Sequence, residues 1–162
     1  KPLAAGRRTP RVVQEAVLEV AVAVGPGRFR GAPLALLERG VRHALEAEGV
    51  TEGEVSVALL DDSTIRALNL RHLGCDETTD VLAFAIHGEG ELMVGDVYLG
   101  AEQARRQAAE AGVPETEELV RLAVHGILHV LGWDHPYDAR ERMASPMWLR
   151  QEALVAEVMR AH

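Results

Sequence analysis

Three of the chain's seven histidines fall within the run His125-Gly126-Ile127-Leu128-His129-Val130-Leu131-Gly132-Trp133-Asp134-His135. His125 and His129 are four residues apart in a helical pattern. A helix turns every ~3.6 residues, so both imidazoles leave one face, one turn apart, and can reach a single ion. Gly132 stops the helix, because glycine enters the left-handed C-terminal conformation without strain. The turn lets His135 approach the same ion from outside the helix, while Trp133 packs back on the last turn.

Three neutral imidazoles are the ligand set of an open zinc site, whereas closed structural sites usually take four protein ligands. No fourth ligand lies nearby. Asp134 and Asp138 are better placed to orient a ligand histidine than to bind metal. An open position suits the activation of water for hydrolysis. The expected cofactor is therefore one divalent ion, with zinc the best match; imidazole also suits nickel, cobalt and copper. An i, i+4 histidine pair alone is usually surface decoration. The third histidine and the placed glycine set this run apart. His43, His72, His87 and His162 have no comparable spacing and read as surface or core residues.

The spacing also matches the His-Glu-x-x-His-x-x-Gly-x-x-His pattern of metzincin proteases at every position but one. Gly126 stands where those enzymes carry the glutamate that takes a proton from water. Its absence argues against proteolysis. Met143 could imitate their Met-turn, although such a residue more often sits in a core.

The elements that must position these groups follow from hydrophobic periodicity. Val17–Val24 is β-branched and reads as a strand, stopped by Gly25-Pro26-Gly27. Pro33 opens a helix to about Glu48, with Leu34, Leu37, Val41 and Leu45 on one face. Val55–Leu60 is a second strand. Asp61, Asp62 and Ser63 offer N-caps for a short helix closed by Gly74. Thr79–Ile86 and Leu92–Leu99 read as a hairpin pair with its turn at His87–Gly90. Helices then follow at Ala101–Ala111, from Pro114 and Glu115 to about Leu131, and from Ser145-Pro146 to about Arg160. The expectation is one α/β (α+β) domain: a mixed four-stranded sheet, about five helices, and the metal-site helix near the C-terminus. Residues 1–10 read as a flexible tail and 11–162 as the domain.

A chain of 162 residues fits one core, and 48% apolar residues can fill it. Only 4% are aromatic, so the core must be aliphatic. The lone Cys75 cannot form an intrachain disulfide, which suits a reducing compartment such as the cytoplasm. No apolar run is long enough to cross a membrane as a helix. Glu15 and Glu19 break the apolar stretch behind the basic N-terminus, against a secretory signal. Net charge is −8, with an excess of positive charge in residues 1–50 and of negative charge beyond. That balance argues against a strongly basic nucleic-acid binder. A local patch of Arg66, Arg71, Arg105 and Arg106 could still contact phosphates, and arginine suits two-pronged phosphate contacts.

The run His-Gly-x-Leu-His-x-x-Gly-x-Asp-His resembles that of the YbeY family, bacterial endoribonucleases of ribosomal RNA maturation. That family carries Asn-x-x-Tyr/Phe-Arg, then Thr-Asp-Val-Leu-Ser-Phe, then Gly-Asp-Ile. This chain has Asn69-Leu70-Arg71-His72, then Thr79-Asp80-Val81-Leu82-Ala83-Phe84, then Gly95-Asp96-Val97. Arg71 stands closer to Asn69 than the pattern has it, Ala83 replaces Ser, and Trp133 replaces the commoner Tyr.

The resemblance implies a zinc-dependent, single-strand-preferring endoribonuclease that acts on small-subunit ribosomal RNA and in ribosome quality control. Its partner is an RNA precursor, with small-subunit ribosomal proteins or an assembly GTPase as protein partners, and no membrane or DNA. It also implies an arginine facing the metal. Arg71 is the nearest match as a catalytic and substrate-binding residue, with Arg66 as a second substrate contact. Asp80, Asp96 and Asp134 are then support around the cleft. Two alternatives stand beside this reading: a metzincin-like protease with a relocated base, and a non-enzymatic ribosome-assembly factor with a structural metal.

Overall fold

A computed structural model describes residues 16–162. The expected tail, residues 1–10, and the start of the expected domain lie outside the described residues.

Short β-branched runs form strands and amphipathic runs form helices, in the order β1 (Leu18–Val24), α1 (Leu34–Ala47), β2 (Gly53–Leu60), α2 (Asp62–Leu73), β3 (Val81–Ala85), β4 (Met93–Gly100), α3 (Ala101–Ala111), α4 (Glu115–Val130), α5 (Ala139–Met143) and α6 (Pro146–Arg160). Five helices match the expected ones. The sixth, α5, is a single turn without apolar periodicity, started by the Asp138 carboxylate, which accepts from the Arg140 and Glu141 amides at 3.0 Å.

The sheet is mixed, in the order β1-β2-β4-β3. β1, β2 and β4 run parallel, and β3 returns antiparallel on β4 as the edge strand. Alternation along β2 separates two cores. Val55, Val57 and Leu59 enter the main one, with α1, α4 and α6. Leu60 faces the other way and joins Ile65 of α2 and Leu82 of β3 in a smaller cluster. α2 therefore lies on the opposite face of the sheet from α4.

α4 is the central helix. Glycine allows it to approach the sheet closely. A Cβ on Gly126 would lie 2.6 Å from Val97 Cγ1, and one on Gly95 would lie 2.5 Å from Val130 Cγ1. Within residues 118–130 every residue of α4 is buried except Arg121, His125 and His129. Spaced four apart, these three form one half-buried seam along the helix.

Candidate metal centre

His125 and His129 belong to that seam, so the packing of α4 on all its other sides fixes where their rings emerge. The helix ends as its sequence requires. Gly132 has φ of +94°, its amide donates to His129 O, and the Trp133 amide donates to Leu128 O. Trp133 packs against the main core, and its indole N–H donates to Glu48 at the end of α1 (3.4 Å). The turn is thereby held, and it returns His135 to the rings of the helix. Ring centroids lie 4.6 Å apart for His125–His129, 5.1 Å for His125–His135 and 4.9 Å for His129–His135. One ligand atom from each histidine lies within 4.8 Å of the others, a group that could hold a metal ion.

The second nitrogen of each ring identifies the free one. His129 Nδ1–H donates to Trp133 O at 3.0 Å, and His135 Nδ1–H donates to Pro136 O at 2.9 Å. A carbonyl can only accept, so both protons sit on Nδ1. His125 Nδ1 lies 2.6 Å from the side-chain oxygen of Gln151. Nε2 then carries the lone pair in all three rings. His129 Nε2 and His135 Nε2 are 3.2 Å apart with two lone pairs facing, an arrangement that calls for positive charge between them. Burial pushes the His125 imidazole down to about 4, and repulsion from His129 and His135 adds to this, against the favourable Gln151 bond. Burial and His135 also lower His129. Both rings are neutral at neutral pH, as metal ligation requires. The residues present therefore fit a soft-to-borderline divalent cation bound through three imidazoles.

The expected support residues separate. Asp134 accepts from the His135 amide at 2.8 Å and holds the turn. Asp80 acts electrostatically on His125, while its carboxylate accepts from Gln107 at 3.2 Å. Asp96 is not at the centre. It alternates with Gly95 and Val97, which face α4, so its side chain lies on the other face of the sheet. There it accepts from Ser56 at 2.7 Å and lines a separate recess of 430 Å³. Asp138 caps α5, and Met143 is exposed rather than part of the core.

The arginine patch is largely paired. Arg66 donates to Asp76 (2.8 Å), Arg106 to Asp62 (3.0 Å), and Arg105 lies 3.5 Å from Glu115. Arg71 is exposed, with no hydrogen bond or ion pair among the described residues. α2 is unbroken from Asp62 to Leu73, so the Asn-x-x-Tyr/Phe-Arg element reads without a gap: its aromatic position is His72 and its arginine position is Leu73. The His72 ring stacks on Phe84, with centroids 5.2 Å apart, and Leu73 is exposed. Arg71 is two residues away from that arginine position, roughly 200° around the helix.

Asn69 is buried and its amide donates to Glu77 O at 2.9 Å, fixing the loop after α2. Asn69→Ala should cost about 1–2 kcal/mol, because it leaves that carbonyl without its partner. Chemical denaturation checks this, and an unchanged midpoint would remove Asn69 from the account of the loop.

Gln151, on α6, is the site residue that the sequence reading missed. Its signal was available: α6 buries Met147, Gln151, Leu154, Val155 and Val158, one amide in an otherwise apolar stripe.

A mixed α/β domain carrying three converging imidazoles belongs, by fold and site, with proteins built to bind a catalytic type of metal centre. The family model described as Endoribonuclease YbeY matches residues 33–159. The chain belongs to the endoribonuclease YbeY family. Endoribonuclease YbeY of Moorella thermoacetica is 42% identical over 137 residues, covering 77% of this chain and 86% of the relative. That of Geobacillus thermodenitrificans is 41% identical, covering 74% and 82%. The solution structure of TM1509 from Thermotoga maritima aligns with a TM-score of 0.60 at 28% identity, covering 88% of this chain and 90% of that one.

Proposed function

We propose that this chain is a zinc-dependent endoribonuclease that prefers single-stranded RNA and acts in the cytoplasm on small-subunit ribosomal RNA precursors, in maturation and quality control. The observation that supports it most is the set of anchored Nδ1 atoms, which leaves the Nε2 atoms of three histidines facing one point in a member of an endoribonuclease family. A zinc ion bound there supplies Lewis-acid polarisation of a phosphoryl oxygen and a nucleophile at neutral pH. The chain's own residues do the rest. His125 and His129 present their nitrogens from a rigid helix, so the centre is organised before RNA arrives. Asp134 and Trp133 hold the turn that brings in His135. RNA passes along the edge strand β3, between the histidine helix and α2.

Arg71 is turned away from the family's arginine position, but it is exposed and has no ion-pair partner among the described residues, which leaves its guanidinium free to take a substrate phosphate; Arg66 exchanges its exposed Asp76 partner for a second phosphate, since exposed ion pairs are worth little and swap easily. Small-subunit ribosomal proteins or an assembly GTPase would present the RNA. No described helix is long and apolar enough to cross a membrane. With few phosphate contacts, the salt dependence of RNA binding should be shallow.

Arg71→Ala tests the substrate contact. Loss of one charge-assisted bond, about 1.5–3 kcal/mol, should raise KM roughly tenfold or more and reduce the salt slope of binding. Cleavage of a single-stranded RNA by the zinc-loaded protein reads it. Unchanged KM and salt slope would remove Arg71 from the substrate path.

A further inference from the structure

We infer that Gln151 is a positioning residue of the metal centre: from α6 it fixes the ring plane and tautomer of His125 so that Nε2 is presented to the ion. The inference rests on the metal reading above and adds a residue on a different helix to it. His135 and His129 are anchored by backbone carbonyls of the turn that carries them. His125 has no such turn. It lies in the middle of α4, where the backbone carbonyls are committed to the helix. Only a side chain from a neighbouring element can accept its Nδ1–H.

Gln151 is built for that task. It is 1% exposed, and its oxygen lies 2.6 Å from His125 Nδ1. A buried amide in an apolar helix face is costly unless it is bonded, so the position is explained by its partner. Its height along α4 is set by the next residue. Glu152 accepts from Arg121 at 2.8 Å and 3.2 Å, and Arg121 lies one turn before His125 on the same seam. Adjacent residues of α6 thus meet successive seam positions of α4. The first contact sets the register of the two helices, and the second uses it to hold the ring. Partners outside the ligand shell commonly change metal affinity by about 10–100-fold.

The test uses the full chain and zinc alone. Zinc affinity is measured by competition with a chromophoric chelator for wild type, Gln151→Met and Gln151→Glu. Side-chain nitrogen NMR reports the protonated nitrogen of His125 in each. Gln151→Met keeps the volume but removes the acceptor, and should weaken zinc binding about 10–100-fold. Gln151→Glu restores an acceptor and should bind at least as tightly as wild type, since a charged acceptor strengthens the bond. A general packing role would not separate Met from Glu in this order.

Gln151→Met within twofold of wild type, or Gln151→Glu as weak as Gln151→Met, overturns the inference. Should Gln151→Met fail to fold, the glutamate variant and the wild-type spectrum decide, and a His125 protonated on Nε2 rather than Nδ1 overturns it. Wild type that takes up no zinc defeats the underlying metal reading, a result distinct from unequal or equal affinities among variants that do bind.

Discussion

His129→Ala should abolish tight zinc binding and lower RNA cleavage by about three orders of magnitude, the rate equivalent of several kcal/mol of lost charge stabilisation. His129 is the hinge of the centre. Its Nδ1 holds the Trp133 carbonyl, and its Nε2 faces His135 Nε2 at 3.2 Å. Alanine removes one ligand and loosens the turn that delivers another. The helix should survive, because alanine is the best helix former and the histidine lies on the half-exposed seam. The comparison is His43→Ala. His43 is half-buried and pairs with Glu157 at 2.5 Å rather than with any of the three rings, and its loss should leave cleavage within twofold. Metal content, circular dichroism and cleavage of single-stranded RNA read the pair of variants. Equal loss in both would show that the effect is general destabilisation. Full cleavage by His129→Ala would remove the histidine from the chemistry.

Gly126→Glu should unfold the domain and should not create a peptidase. The position is buried between α4 and the sheet. A Cβ there already meets Val97 Cγ1 at 2.6 Å and Val81 Cγ2 at 3.3 Å, and Val97 is fully buried on an interior strand. Overpacking alone costs about 1–3 kcal/mol. A carboxylate without a partner adds a desolvation cost, which brings the total above roughly 4 kcal/mol, at the exceptional end for one substitution. Gly126→Ala separates the two contributions. It gains about 1 kcal/mol of helix propensity against about 1–3 kcal/mol of overpacking, and should be destabilised by roughly 1 kcal/mol. Urea denaturation measures both. A glutamate variant with the wild-type midpoint would mean that α4 can lift from the sheet freely. The glycine in this motif is thus a packing requirement, and the side of α4 on which a protease would need its glutamate here faces valine.

Local signals made much of this legible in the sequence. Pro114 and Gly132 bracket α4, and their effects act on the residues beside them. The i, i+4 spacing of His125 and His129 translates directly into one face, and Gly132 into the turn that returns His135. The alternation of β2 likewise separates two packing faces before any partner strand is known.

What was not legible depends on contacts between distant parts of the chain. β4 inserts between β2 and β3, and no residue in β4 announces that neighbour. The face on which Asp96 lies follows from β4's packing under α4 and its pairing with Ser56, so its carboxylate could be placed only once the register was known. Arg71 stood near a family arginine in sequence, but an unbroken α2 turns it away from that position. Gln151 lies 26 residues from the histidine it meets, and only the packing of α6 on α4 joins them.

Whether RNA cleavage depends on one ion held by the three imidazoles can be measured directly, by reconstitution. The full chain is stripped with a chelator, checked for retained secondary structure, and titrated with zinc while cleavage of single-stranded RNA is followed. Cleavage should be absent in the stripped protein and rise linearly to a plateau at about one equivalent of zinc, the stoichiometry of a single three-histidine site. Full cleavage by the folded, metal-free protein, or no cleavage after an equivalent of zinc has bound, would contradict that dependence.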